Sequence, residues 1–146
     1  MKILQISDLH RDINKADLQD YGFVSQLKDV DVLAICGDIS GSYSSTFEFL
    51  WNLKEYIEEN ELSIKCIAVA GNHESYDSLK EQTYRSKIIN DLRNTFNKGN
   101  IFYCENDFVD IGRITSVSAS YSNECLKSFM LRNAILSLYI LLPKFV

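Results

Sequence analysis

A chain of 146 residues, 46% hydrophobic and 24% charged, is long enough for one domain with a core of its own, in the proportions of an ordinary soluble protein. Its net charge of -5 argues against a nucleic-acid groove, which needs clustered Lys and Arg. The longest apolar stretch, residues 134–142, is far short of the ~20 residues a membrane helix requires.

Cysteines stand at Cys36, Cys66, Cys104 and Cys125, with no C-x-x-C pair that would suggest a zinc knuckle. Cys36 and Cys66 sit in apolar runs, where a thiol behaves as a small hydrophobe. All four read as reduced. With no signal peptide before Asp8, the expected setting is cytoplasmic.

In chain order, residues 2–6 read as a short buried strand. Leu18, Tyr21, Val24 and Leu27 recur at near-helical spacing and predict a helix over 15–28. Residues 30–36 form a nearly continuous apolar run closed by Gly37, the pattern of a strand buried on both faces. A helix follows over 45–59, with Ser45 and Glu48 as a capping box and Phe47, Leu50, Leu53 and Ile57 as its buried stripe. Residues 64–70 give a third buried strand, closed by Gly71. Ser78 and Glu81 form a second capping box, and Ile88, Ile89, Leu92 and Phe96 continue that helix. Shorter strands are expected over 101–104, 108–111 and 114–119.

Strands alternating with helices predict an α/β domain, a layered and largely parallel sheet with flanking helices. Ligands of such sheets bind beyond the carboxyl ends of the strands. The first three strand ends read Ser7-Asp8-Leu9-His10, Gly37-Asp38 and Gly71-Asn72-His73-Glu74. Both histidines of the chain fall there. Carboxylate oxygens suit Mg and Mn, and imidazole suits Zn, Fe and Ni. Asp8 and His10 are close enough in sequence to share one ion, and Asp38 has two oxygens with which to bridge two. Ions about 3.5–4 Å apart clamp the attacking and leaving oxygens of a phosphoryl displacement without a serine or cysteine nucleophile. Taken singly, each residue also has a structural explanation. Asp8 can cap a turn, Asp38 can make an Asx-turn, and Asn72 can fill a left-handed turn position. Taken jointly, at three consecutive strand ends, they read as a metal site.

These residues resemble the calcineurin-like metallophosphoesterase superfamily, whose pattern is D-x-H, then G-D, then G-N-H-D/E, each after a buried strand. The match is carried by Asp8-Leu9-His10, Gly37-Asp38 and Gly71-Asn72-His73-Glu74, over roughly the first half of the chain. The resemblance implies metal-dependent hydrolysis of phosphate esters at a di-metal site. It implies two divalent ions (Mn, Fe, Zn, Ni or Mg, with Mn favoured). Asp8 and His10 would bind the first, Asp38 would bridge, and Asn72 would bind the second. His73 would be the catalytic residue beside the phosphate, not a ligand. The implied partner is a small phosphoester, with nucleic acid disfavoured and no membrane.

The family completes its site with later histidines, one after a further strand and two in a G-H-x-H motif. This chain has none after His73. Asp12, Glu74 and Asp77 are the residues placed to substitute. The expected organisation is an incomplete metallophosphoesterase-like domain over 1–122 and a divergent apolar tail over 123–146. The tail is expected to pack as a helix or to pair with a second copy of the chain. The alternative function is a truncated, non-catalytic remnant that binds one metal or none.

Overall fold

The computed structural model describes residues 2–74, 82–104, 114–118 and 128–131. The chain divides into two compact units, Met1–Tyr103 and Cys104–Val146. The expected boundary at 122, the capping box at Ser78 and Glu81, the strand over 108–111 and the apolar run 134–142 lie outside the described residues.

The first unit is built on a four-stranded sheet in the order β1 (Ile3–Ile6), β2 (Val32–Ile35), β3 (Lys65–Val69), β4 (Ile101–Cys104). β1, β2 and β3 run parallel. With flanking helices this is the expected α/β architecture. The apolar runs of β2 and β3 are buried on both faces as their sequences require: Val32 through Ile35 and Cys66 through Val69 are all buried. β1 differs from expectation. It is the edge strand among the described residues, and it is only half-buried, with Ile3 exposed.

Helix α1 is a single turn, Arg11–Asn14, directly after the first strand-end motif. The helix expected over 15–28 is absent. Two 3-10 segments, Leu18–Asp20 and Val24–Asp29, take its place. The reason lies in the spacing. Leu18, Tyr21, Val24 and Leu27 are each three residues apart, and three residues per turn is the 3-10 period, not the α period. Leu18, Val24 and Leu27 are buried and Tyr21 packs against them, so the apolar pattern is used at a tighter pitch.

Helix α2 spans Tyr43–Glu59. It starts two residues earlier than expected, with Ser42 at the N-cap, so Ser45 lies inside the helix and makes no capping box. Its core face is Thr46, Phe49, Leu50, Leu53 and Ile57, with Phe47 partly buried at the rim. Each fully buried Leu, Ile or Phe contributes about 1.5–3 kcal/mol. The outer face carries Trp51–Glu55 and Lys54–Glu58 pairs at i,i+4. The helix ends without glycine. Glu61 takes the left-handed conformation, and Glu61 N–H and Leu62 N–H donate back to Glu58 O and Ile57 O. That is a Schellman closure. Helix α3, Gln82–Phe96, buries Leu92 and Phe96 in the same cluster.

In the second unit, β5 (Ile114–Ser118) pairs antiparallel with β6 (Ser128–Leu131). Residues 128–131 therefore form a strand within the chain, where a helical or intermolecular tail was expected.

Candidate metal centre at the strand ends

The sheet register sets the site. Ile6 pairs with Ile35, and Ile35 with Ala68. The first three strands therefore end level, and the chain leaves them through three adjoining loops. Beyond the sheet, the first loop stays bonded to the second. Asp8 N–H donates to Gly37 O at 3.2 Å, His10 N–H to Asp38 O at 3.1 Å, and Arg11 N–H to Ile39 O at 2.9 Å. The second and third loops meet backbone to backbone. A Cβ on Gly37 would lie 2.6 Å from Gly71 Cα, and one on Gly71 would overlap the Asp38 carboxylate. Gly37 also has φ of +85°. Only glycine serves at these two positions.

Asp8, His10 and Asp38 have φ of 59°, 44° and 56°. Left-handed backbone costs a non-glycine residue on the order of 1–3 kcal/mol and concentrates at functional sites. Among the described residues, the other two such positions are Lys15 and Glu61, and both close a helix. Asp8 and Asp38 stand at no helix end, and His10 is the N-cap residue of the single-turn α1.

Asp8 Oδ1 lies 3.9 Å from His10 Nε2. Two donors at that separation fit one ion held about 2.0–2.2 Å from each. His10 Nδ1 is buried with no hydrogen-bond partner among the described residues. The His10 ring meets the His73 ring edge to face, with centroids 4.3 Å apart. Asp38 is buried, and its Oδ1 accepts the His73 N–H at 2.9 Å. Asn72 is exposed on the third loop. Among the described residues, no group of three or more His, Cys, Asp or Glu side chains stands ready to hold an ion.

The chain matches the calcineurin-like phosphoesterase family model over residues 1–140. It belongs to that family. No curated protein matches the chain. Membership brings phosphoester hydrolysis as the general reaction class and divalent metals as the family's usual cofactors. No helix among the described residues is long and apolar enough to cross a membrane.

Of the residues expected as substitute ligands, Asp77 lies outside the described residues. Asp12 is exposed on α1, with Oδ2 facing Gly41. Its slight burial raises its pKa. Hydrogen bonds from the Gly41 N–H, its own N–H and the Ser40 hydroxyl, with the His73 ring nearby, outweigh that and hold it below the usual carboxylate range. Glu74 is tied to backbone. Oε2 accepts from Asp38 N–H at 3.0 Å and Gly71 N–H at 2.6 Å, and Oε1 accepts from Ile39 N–H and from Ser40 N–H at 3.2 Å. Burial pushes its pKa up, the Asp38 charge adds to the rise, and the amide donors oppose it. Arg11 is a buried cation next to His10. Its Nε donates to Ala16 O and its Nη1 to Ser45 O, both at 3.1 Å, which ties the first loop to α2. No sequence signal marks this role, because Arg11 lies outside any motif and its acceptors are main-chain carbonyls.

Proposed function

We propose that this chain hydrolyses small phosphate esters with divalent metal held at the three strand-end loops, Mn being favoured. The observation that carries the reading is the joined set of loops. It holds Asp8, His10 and Asp38 in left-handed backbone, with His10 Nε2 3.9 Å from Asp8 Oδ1 and His10 Nδ1 buried without a hydrogen-bond partner among the described residues. Asp8 and His10 would hold one ion, Asp38 would reach both, and Asn72 would serve the second. Bound divalent ions neutralise phosphate charge and acidify water.

The chain's own residues supply the rest. His73 lies edge-on to His10 and would face the phosphate. Protonated, it donates to the departing oxygen or offsets developing charge. The Asp38 carboxylate accepts the His73 amide and so fixes the backbone that carries this ring. Cys36, Cys66 and Cys104 are buried and in no disulfide, which removes them as nucleophiles and suits a reducing cytoplasmic setting. The net charge of -5 favours a small phosphoester over nucleic acid.

A second reading has its own support. With only two histidines in the chain and no ready group of three or more ligands among the described residues, a non-catalytic domain binding one ion also fits. Titration of the chain with Mn by calorimetry, alongside turnover of a generic phosphodiester, separates the two. Two ions per chain with Mn-dependent turnover support the enzyme. One ion without turnover supports the non-catalytic domain. Absence of both Mn binding and turnover rejects the enzyme and leaves a non-catalytic domain that binds no metal.

A further inference from the structure

We infer that Glu74 is the positioning residue of this site. Its carboxylate fills a concavity of backbone amides and so locks the second loop in the conformation that aims Asp38. The inference deepens the proposed function and rests on it for the metal.

Gly37 and Asp38 are successive left-handed residues, with φ of 85° and 56°. The chain turns so tightly there that the N–H groups of Asp38, Ile39 and Ser40 all point to one place. Such runs of amides form anion-binding nests. These amides cannot bond within a strand, because β2 has ended at Ile35. Ile39 and Ser40 are fully buried, so water does not serve them either. Unpaired buried amides cost about 1–3 kcal/mol each. Glu74 meets all three and adds Gly71 N–H from its own loop. Each carboxylate oxygen then accepts two amides, which is the full capacity of an ionised carboxylate.

The consequence is geometric. One side chain on the third loop bonds the amide of Asp38 itself and both residues after it. It also bonds Gly71, whose backbone lies against Asp38. The nest is closed to an outside anion because an internal one occupies it. Asp38 therefore cannot relax out of the left-handed region without breaking bonds to Glu74. Glutamine in its place has the same shape but turns an N–H2 toward two amide donors, so half the bonds are lost.

The test uses the full chain and Glu74→Gln. Amide hydrogen exchange is read residue by residue in the metal-free protein, and Mn affinity is read by calorimetry. The inference expects the amides of Asp38, Ile39, Ser40 and Gly71 to exchange at least about tenfold faster in the variant. Ladder amides in β2 and β3 should keep their protection. Mn affinity should fall by about 10–100-fold, as when the partners of metal ligands are removed. Unchanged exchange at Ile39 and Ser40 would overturn the inference. So would a uniform loss across the sheet, or unchanged Mn affinity, since a merely structural carboxylate predicts those. If the variant does not fold, the parent chain decides by through-hydrogen-bond coupling between Ile39 N and the Glu74 carboxyl carbon, whose absence overturns the inference. A parent that binds no Mn rejects the proposed function instead, while the exchange and coupling results still decide what Glu74 does.

Discussion

Strands β2 and β3 and the loop that leaves β2 are buried to nearly the same degree by opposite chemistry. Val32 through Ile35 and Cys66 through Val69 bury apolar side chains, and their backbone groups pair in a parallel ladder. A few residues later, Asp38, Ile39 and Ser40 are also buried, but in left-handed or irregular backbone that no ladder satisfies. The first segment is stabilised wherever it is. The second exists only because glycine contacts and the Glu74 carboxylate force it. Segments that break local rules and persist are where function is found. The contrast predicts that substitutions in the loops and in the strands fail in different ways.

The largest effect is expected from Gly71→Ala. The added methyl would overlap the Asp38 carboxylate and lie 2.5 Å from Asp38 N, so backbone must move. We expect a stability loss of about 3 kcal/mol by urea unfolding, together with loss of Mn binding. A loss below about 1 kcal/mol would show that the loops are not tightly abutted.

How much of this was legible beforehand follows the same division. β2, β3 and β4 announced themselves as apolar runs, and Gly37 and Gly71 marked where they stop. Those signals are local, and so are the D-x-H and G-N-H patterns that point to the site. The 3-10 segments replace the expected helix because Leu18, Tyr21, Val24 and Leu27 stay on one face only at three residues per turn; at 3.6 they drift by about half a turn over nine residues. Phe49 is fully buried and Phe47 only partly, because the buried face of α2 runs through Thr46, Phe49, Leu50, Leu53 and Ile57. The role of Glu74 was out of reach, since its partners lie about 35 residues back in the chain. Only the tertiary meeting of two loops creates it.

Next in size is His73→Ala. The ring packs on His10 but holds no assigned metal position, so Mn binding should persist while turnover falls by about 10²–10⁴-fold. Loss of Mn along with turnover would make His73 a ligand and would move the site toward the third loop.

Arg11→Ala should cost less, about 2 kcal/mol by thermal or urea unfolding. It strips two part-buried carbonyls, Ala16 O and Ser45 O, of their donor. Asp17 and Glu48, at 3.9 and 3.7 Å, are themselves exposed and add little. Arg11→Lys should rescue only part, because an ammonium cannot reproduce the fork that spans the two carbonyls. Full rescue by Lys would mean that charge, not the fork, ties the first loop to α2.

The smallest effect belongs to the strand side of the comparison and appears only in alkali. Burial pushes the Cys66 thiol from 9.0 up to about 12, against a weaker opposing pull from Lys65. Below pH 9 the thiol is protonated in both the folded and the unfolded chain and has no effect on stability. Above pH 9 the unfolded chain releases the proton while the folded chain keeps it. Stability therefore falls as the pH rises from about 9 toward 12, by up to about 1.4 kcal/mol per pH unit. Between pH 9 and 10 the expected loss is about 1 kcal/mol. Cys66→Ala should begin less stable, because it leaves a cavity, yet it should lack this component of the decline. Tyrosines and lysines titrate in both proteins and cancel in the difference. Parallel stability profiles for the parent and Cys66→Ala across this range would show that the thiol ionises freely. The interior of β3 would then be wetter than its sequence and packing require.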